Sequence, residues 1–304
     1  MKKILVVGSV GIDDIETPKG KVEGVPGGSA VYFSLAASMF APVNFVGVAG
    51  SDFPKDIIEL MQKRNIDTNG FEIIEGGKTF RWSGRYHDDM DNRDSLLTEL
   101  NVFENFDPKL PEEYKESEIL FLANIRPDLQ LQVLEKMGKR PELVISDTMN
   151  FWIHSDPVQV ANVVRKSDIF IINDSELLLM TGENNFLSAA DMILEECSLL
   201  KALIVKLGKY GVYATDGKEE FFLPAFPLRQ VADPTGAGDS LAGGFAGYLA
   251  KTGDFSFNNI RKACVYGSIT ASYSVNDFSI EGLKEFDADD IHLEYETFRN
   301  LTQF

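Results

Sequence analysis

The chain has 304 residues, a net charge of -18 and 44% hydrophobic residues, enough apolar sequence to exclude a disordered chain. Its acidity works against phosphodiester backbones and anionic lipid surfaces, so neither nucleic acid nor a membrane is expected as a partner. No stretch approaches the roughly 18 consecutive apolar residues of a membrane span, and two distant cysteines, Cys197 and Cys264, fit a reducing, cytoplasmic setting.

The run Ile4–Val7 is too short for a secretion signal and predicts a buried strand ending at Gly8-Ser9. Gly27-Gly28-Ser29 then opens a helical stretch with Val31, Leu35 and Met39 on one face. Val43–Val48 predicts the next strand and Ile57–Gln62 the next helix. This β-loop-α-β wiring is that of an α/β fold with parallel strands covered on both faces.

Residues 79–86 alternate with period two, and the polar stretch 87–94 follows. We expect a small antiparallel sheet here, a lid of about residues 71–100 joined by about 14–24. Gly76-Gly77-Lys78-Thr79 ends like a P-loop, but Glu72 stands where its first glycine is needed. Lys78, Arg81 and Arg85 stay open between a phosphate-reaching set and ordinary strand solvation. Beyond residue 117 four short apolar runs, Ile119–Leu122, Leu143–Ser146, Ile169–Ile172 and Ala202–Leu207, restore the α/β rhythm. A hairpin is expected around Asp216-Gly217, then helices over 238–250 and about 260–274.

The most informative stretch is Asp233-Pro234-Thr235-Gly236-Ala237-Gly238-Asp239-Ser240. It is a glycine-rich turn that opens onto an amphipathic helix. Small residues there leave backbone N–H groups free at a helix N-terminus, where the helix dipole favours an anion. A carboxylate in the same turn can take a proton while the amides hold negative charge. That combination suits phosphoryl transfer.

Extended by Ala242-Gly243-Gly244-Phe245, this string resembles the C-terminal signature of the ribokinase/PfkB family of carbohydrate and nucleoside kinases. Four further segments follow in family order: Gly8–Asp13, Gly27–Ala30, Asn173–Glu176 and Lys206–Gly211, with Val48–Phe53 similar to the family's V-G-x-D turn. The resemblance implies one ribokinase-like domain over 1–304, a Rossmann-like, mostly parallel sheet with helices on both faces and a β-sheet lid. It implies Asp239 as general base and the backbone of Gly236, Ala237 and Gly238 as anion hole. It assigns substrate contacts to Asp13, Gly27, Gly28 and Ser29, and nucleotide contacts to Asn173, Lys206, Gly208 and Gly211; Asn124, at the end of the Phe121-Leu122-Ala123 strand, is a further candidate, either a substrate contact or a strand-end loop cap. Glu176 would hold Mg²⁺ through water. Asp233 and Thr235 match positions that hold a monovalent cation such as K⁺ in many members. ATP and a sugar or nucleoside are the expected small-molecule partners, and a homodimer through the lid is expected from its apolar strand faces. Two departures bear on the acceptor: Ser29 replaces a lysine common in ribokinases, and Tyr32 replaces an asparagine. Asp147 and Asn150 are read as loop-shaping residues near the site. A dinucleotide-binding oxidoreductase is the rival class, but the first loop reads Gly8-Ser9-Val10-Gly11 rather than G-x-G-x-x-G.

Overall fold

Ile4–Val7 is apolar at every position because it lies between two other strands with both faces covered, and all four residues are fully buried. The computed structural model containing it describes residues 1–303, and of Ala288 and Asp289 the backbone alone. The strands are β1 (Ile4–Val7), β2 (Gly11–Thr17), β3 (Gly20–Gly27), β4 (Val43–Gly50), β5 (Ile66–Ile74), β6 (Phe80–Tyr86), β7 (Arg93–Glu99), β8 (Ile119–Leu122), β9 (Leu143–Ser146), β10 (Ile169–Asn173), β11 (Ala202–Lys206), β12 (Val212–Thr215) and β13 (Glu220–Leu223). The helices used below are α1 (Ser29–Ala37), α2 (Lys55–Lys63), α3 (Pro127–Lys136), α4 (Asn150–Ser155), α5 (Pro157–Lys166), α6 (Asp174–Thr181), α7 (Phe186–Glu196), α8 (Ala237–Thr252) and α9 (Phe257–Val275).

Nine strands form the large sheet in the order β13-β12-β11-β10-β9-β8-β1-β4-β5. Its pairs are parallel except β11 with β12 and β12 with β13. One core cluster, with Phe33, Phe45, Phe121 and Phe245, lies against one face, and two clusters cover the other. Helix α8 comes close to α1 at Gly243, where a Cβ would fall 2.3 Å from the carbonyl oxygen of Phe33. The chain leaves β1 for β4 on one side and returns to β8 on the other. The loops after the carboxyl ends of β1 and β8 therefore diverge and open a crevice, the usual ligand position in such sheets.

The second sheet has four strands in the order β3-β2-β6-β7 and is the small sheet expected as a lid. It differs at its boundaries from the sequence reading. Residues 71–74 belong to β5, which pairs in parallel with β4 at the edge of the large sheet. The lid takes 11–27, wider than 14–24, because β2 runs directly on from the loop after β1. Only β6 alternates; β5, Ile-Asp-Thr-Asn-Gly-Phe-Glu-Ile-Ile, carries no clear period that would have assigned it to either sheet. The P-loop look-alike is the connection between β5 and β6: Thr79 donates its N–H and its hydroxyl to Asp52, at 2.8 and 2.6 Å, and accepts the Gly50 N–H. Arg81 and Arg85 pair with Asp14 and Glu16 on neighbouring β2, at 2.9 Å each. They are cross-strand ion pairs, not a phosphate-reaching set.

Candidate active site

Gly236 caps α8 in the left-handed region at φ 76, and a Cβ there would sit 2.3 Å from the Tyr32 ring. Glycine is required for both reasons. The cap has no side-chain hydrogen bond. The Ala237 N–H turns back to the Pro234 carbonyl at 3.2 Å. Among the described residues the N–H groups of Gly236, Gly238 and Asp239 have no protein acceptor, so they are the open donors. The expected trio is thus shifted by one residue at its centre and end.

Asp239 follows in the first helical turn and is half-buried, facing the crevice rather than sealed inside. Burial, helped by Asp147 and Glu176, raises its pKa to about 7 against the opposing pull of Lys206 and Arg93. Lys206, at the end of β11, reaches across: its Nζ lies 3.1 Å from where a Cβ on Gly238 would stand. It pairs with Asp147 at 3.1 Å, with side chains 17% and 5% exposed. Burial alone would lower the Lys206 pKa, but Asp147, Glu176 and Asp239 together hold it above its ordinary value. Asp147 is therefore the partner of the site's lysine and not only a loop former.

That pair is a stability element as well. With its folded pKa raised, Lys206 contributes stability throughout neutral pH, and the contribution is lost only as pH rises past its ordinary value. Lys206→Met leaves three carboxylates without their shared cation. It is expected to cost about 3–5 kcal/mol, read as a lower urea midpoint; an unchanged midpoint would show that the cluster needs no charge balance.

Asp13 stands across the crevice on β2. It is 4% exposed and accepts no hydrogen bond from the described residues. Burial, then Asp233, Asp14 and Asp239, raises its pKa to about 8, with Arg93 opposing. A buried carboxylate without a donor is costly unless a ligand supplies one. Gly27 lies against it so closely that a Cβ would fall 1.9 Å from Oδ2. Gly28, at φ 101, packs on the backbone of Ser9–Gly11. Ser29 spends its hydroxyl on Ser9, accepting the Ser9 N–H at 3.1 Å and sharing a 3.0 Å hydroxyl contact. Of these three, only Gly27 borders the acidic side chain.

The remaining expected positions line the carboxyl ends of the strands. Asn124, after β8, accepts the Trp152 indole N–H at 3.0 Å and points its amide nitrogen at Met149 Sδ, so it braces α4. Asn173 and Glu176 form a capping box on α6: Asn173 Oδ1 accepts the Glu176 N–H at 2.8 Å, and Glu176 Oε2 accepts the Asn173 N–H at 3.1 Å. Burial raises the Glu176 pKa, with Lys206 opposing. Gly208 and Gly211 bound the turn after β11; at Gly211, φ 112, a Cβ would fall 1.9 Å from the Leu223 carbonyl oxygen. Asp233 is fully buried and accepts the N–H groups of Thr235 at 2.8 Å and Ser279 at 2.9 Å. The Thr235 hydroxyl donates to Tyr86 of the lid at 3.1 Å.

Two groups that the reading invites can be tested on these donors. For Mg²⁺, no cluster of three or more acidic, His or Cys ligands exists among the described residues. Glu176 and Asp147 on either side of Lys206 still fit an ion that keeps its waters and leans on phosphate oxygens. For a monovalent cation, Asp233 is a buried carboxylate with no cationic side chain paired to it among the described residues, and burial raises its pKa. That is a donor suited to such an ion.

The sequence reading missed Arg93 and Ser279. Arg93 stood in the polar stretch 87–94, and its register opposite Tyr86 sets it beside that ring on the small sheet. Ser279 holds Asp233 from 46 residues away, without a local signal.

Residues 1–281 match the model of the pfkB family carbohydrate kinase. The chain is similar to a cytidine kinase of Thermococcus kodakarensis, 31% identical over 82% of this chain and 89% of that protein. It is also similar in structure to a nucleoside kinase of Burkholderia thailandensis in complex with inosine, at TM-score 0.79 and 18% identity over 98% of both chains. A putative ribokinase II from E. coli in complex with ATP and Mg²⁺ superposes at TM-score 0.77 and 17% identity, over 98% of this chain and 100% of that one.

Proposed function

The chain belongs to the pfkB family of carbohydrate kinases, phosphotransferases with a hydroxyl acceptor, and from that premise we propose that it moves the γ-phosphoryl group of ATP to a hydroxyl of a sugar or sugar-like ring, with Asp239 as general base. The observation that carries the reading is the pairing, within one helical turn, of open N–H donors with a carboxylate whose pKa lies at about 7. A base is most useful when its pKa is near the working pH.

In this mechanism Asp13 accepts hydrogen bonds from acceptor hydroxyls and sets one of them toward Asp239. Asp239 takes that proton as the acceptor oxygen bonds to phosphorus. The amides of Gly236, Gly238 and Asp239 receive the charge on the moving group. Mg²⁺, when bound, screens the phosphates; Glu176 and Asp147 would hold it through water. Lys206 balances the carboxylates beside it, and the lid keeps water from taking the phosphoryl group. A K⁺ ion, if held, would sit with Asp233 and Thr235.

Between the two acceptor classes, a nucleoside is favoured by the register of the lid. Trp82 on β6 is the direct partner of Asp13 on β2, and its ring lies over Gly84. With Gly84 beneath the ring and Arg93 5.6 Å from its centre, the ring can meet a base joined to a sugar along its edge, beside the carboxylate. The 31% identical relative, a cytidine kinase, points the same way. The test is an ATP-consumption panel of cytidine, adenosine, inosine, ribose, deoxyribose and fructose. Turnover with a nucleoside and not with free sugars is expected; turnover only with free sugars would remove the nucleoside reading, and none at all would remove the kinase reading.

A further inference from the structure

An anion hole made of backbone has to be held still without using its own donors. Helix starts are commonly fixed by a capping side chain, whose oxygen accepts the second or third N–H of the helix. At α8 no side chain does so, and the N–H groups of Gly236, Gly238 and Asp239 stay open among the described residues. A capping oxygen would occupy the donors that an incoming phosphoryl group needs. Gly236 is also in the left-handed region, where glycine has more freedom to reorient than any other residue. Something other than a hydrogen bond therefore has to fix it.

Tyr32 is the side chain placed to do so. It lies in the first turn of α1, gives its N–H to the Gly28 carbonyl at 3.2 Å and is 1% exposed. A Cβ on Gly236 would fall 2.3 Å from Cδ1 of its ring and 2.4 Å from both Cγ and Cε1. Three adjoining ring atoms at nearly one distance put Gly236 over the face of the ring, not at its edge. The same seam continues along α8. Gly243 rests on the Phe33 carbonyl oxygen, and at Gly247 a Cβ would fall 2.9 Å from the Ala37 carbonyl oxygen. Helix α8 is thus laid on α1 through three glycines, and Tyr32 is the end of that seam nearest the reaction. Helix α1 starts just after Gly27, the residue packed on the Asp13 carboxylate. One helix therefore sets both the acceptor side and the floor of the anion hole. The Tyr32 hydroxyl is buried without a hydrogen-bond partner among the described residues, so what the side chain gives to the turn comes from its ring.

We infer that Tyr32 is a positioning residue, whose ring face takes the place of a helix cap under Gly236 and fixes the anion hole relative to Asp13 and Asp239 while leaving every donor free. The inference rests on the kinase reading. Its physical content is that a flat apolar surface can hold a glycine Cα in place by packing alone, using neither lone pair nor N–H. The neighbours of Gly236 are held otherwise: Asp233 accepts the Thr235 N–H, and the Thr235 hydroxyl donates to Tyr86. Those bonds end one residue short of the cap, and the ring begins where they stop. Donors aimed at a charge that develops only during transfer act on the rate more than on binding, so a loose turn should be felt in kcat.

The test compares Tyr32→Phe, Tyr32→Met and Tyr32→Leu, with Mg-ATP and cytidine, or the panel member turned over fastest. Phe keeps the ring, whereas Met and Leu fill the space without a flat face. The Met and Leu variants are expected to lose about 10–10²-fold in kcat, the effect of donors displaced by up to about 1 Å, with both KM values within about threefold. The Phe variant should keep kcat within about threefold of the wild type and melt no lower, since the hydroxyl it removes has no partner. Mg-ATP alone should raise the melting temperature of all four chains. Aluminium fluoride with Mg-ADP and the acceptor, a mimic of the moving group, should add a further rise in the wild type and the Phe variant but not in the other two. A Phe variant as slow as the Leu variant would move the effect to the hydroxyl and overturn the assignment. So would Met and Leu variants of wild-type kcat, a loss confined to KM, or their full stabilisation by aluminium fluoride. Loss of the Mg-ATP response in both would mean that the ring holds the fold and not the turn, which overturns it as well. A wild-type chain inactive on the whole panel would instead overturn the kinase reading on which the assignment rests.

Discussion

Asp239→Asn is expected to lower kcat by about 10²–10⁴-fold while leaving the fold intact and making it more stable. Both effects have one cause. Burial raises the Asp239 pKa to about 7, so the folded chain binds this proton more tightly than the unfolded chain, whose carboxyl keeps the ordinary value of 3.8. The linked stability is fully present below that value and is lost as pH rises through about 7. Above pH 7 the wild type carries the cost of a charge among Asp147, Glu176 and Asp13, which Asn does not. The variant should therefore gain melting temperature, about 2–4 °C for each kcal/mol recovered, and gain more at pH 8 than at pH 5. Activity runs the other way. A base must be unprotonated, so wild-type kcat/KM should rise with pH through about 7 and level off. An Asn variant of wild-type rate, or one that melts lower at pH 8, would contradict the assignment of Asp239 as a buried base.

The physical reasons for this arrangement were partly legible in the sequence. Strands β8 and β9 fall on their short apolar runs, because a strand buried on both faces is apolar along nearly all of its length, with Ser146 at the end of β9 the one exception. The turn at 236–239 was legible because its chemistry is local: glycine, helix start and carboxylate are consecutive. What the sequence did not show depends on register between distant segments. Residues 71–74 lie next to the lid strands in sequence but pair with β4. The Ser29 hydroxyl is engaged by Ser9, 20 residues away, a pairing with no local signal. Asp147 gained its meaning from Lys206, 59 residues away. Arg93 is separated from Asp239 by nearly half of the chain, and its charge reaches that carboxylate through the fold of the small sheet.

The second large effect is expected at a residue with no functional group. Gly27→Ala should cut kcat/KM for the acceptor by about 10²–10³-fold, the worth of one or two hydrogen bonds to a charged partner. The new methyl carbon would stand 1.9 Å from Asp13 Oδ2 and 2.7 Å from its Cγ, closer than any two such atoms can lie. Backbone conformation is not the obstacle, since Gly27 is not among the glycines with positive φ. The obstacle is the carboxylate, and a side chain yields more readily than a strand. Asp13 would turn away, the sheet would keep its pairs, and the acceptor hydroxyls would lose their anchor. ATP binding, on the far side of the crevice, should be unchanged. The Asp13→Ala variant should show the same loss, and the double variant should be no worse than either alone, because each removes the same contact. Losses that multiplied would mean that Gly27 acts on the reaction by a route other than Asp13.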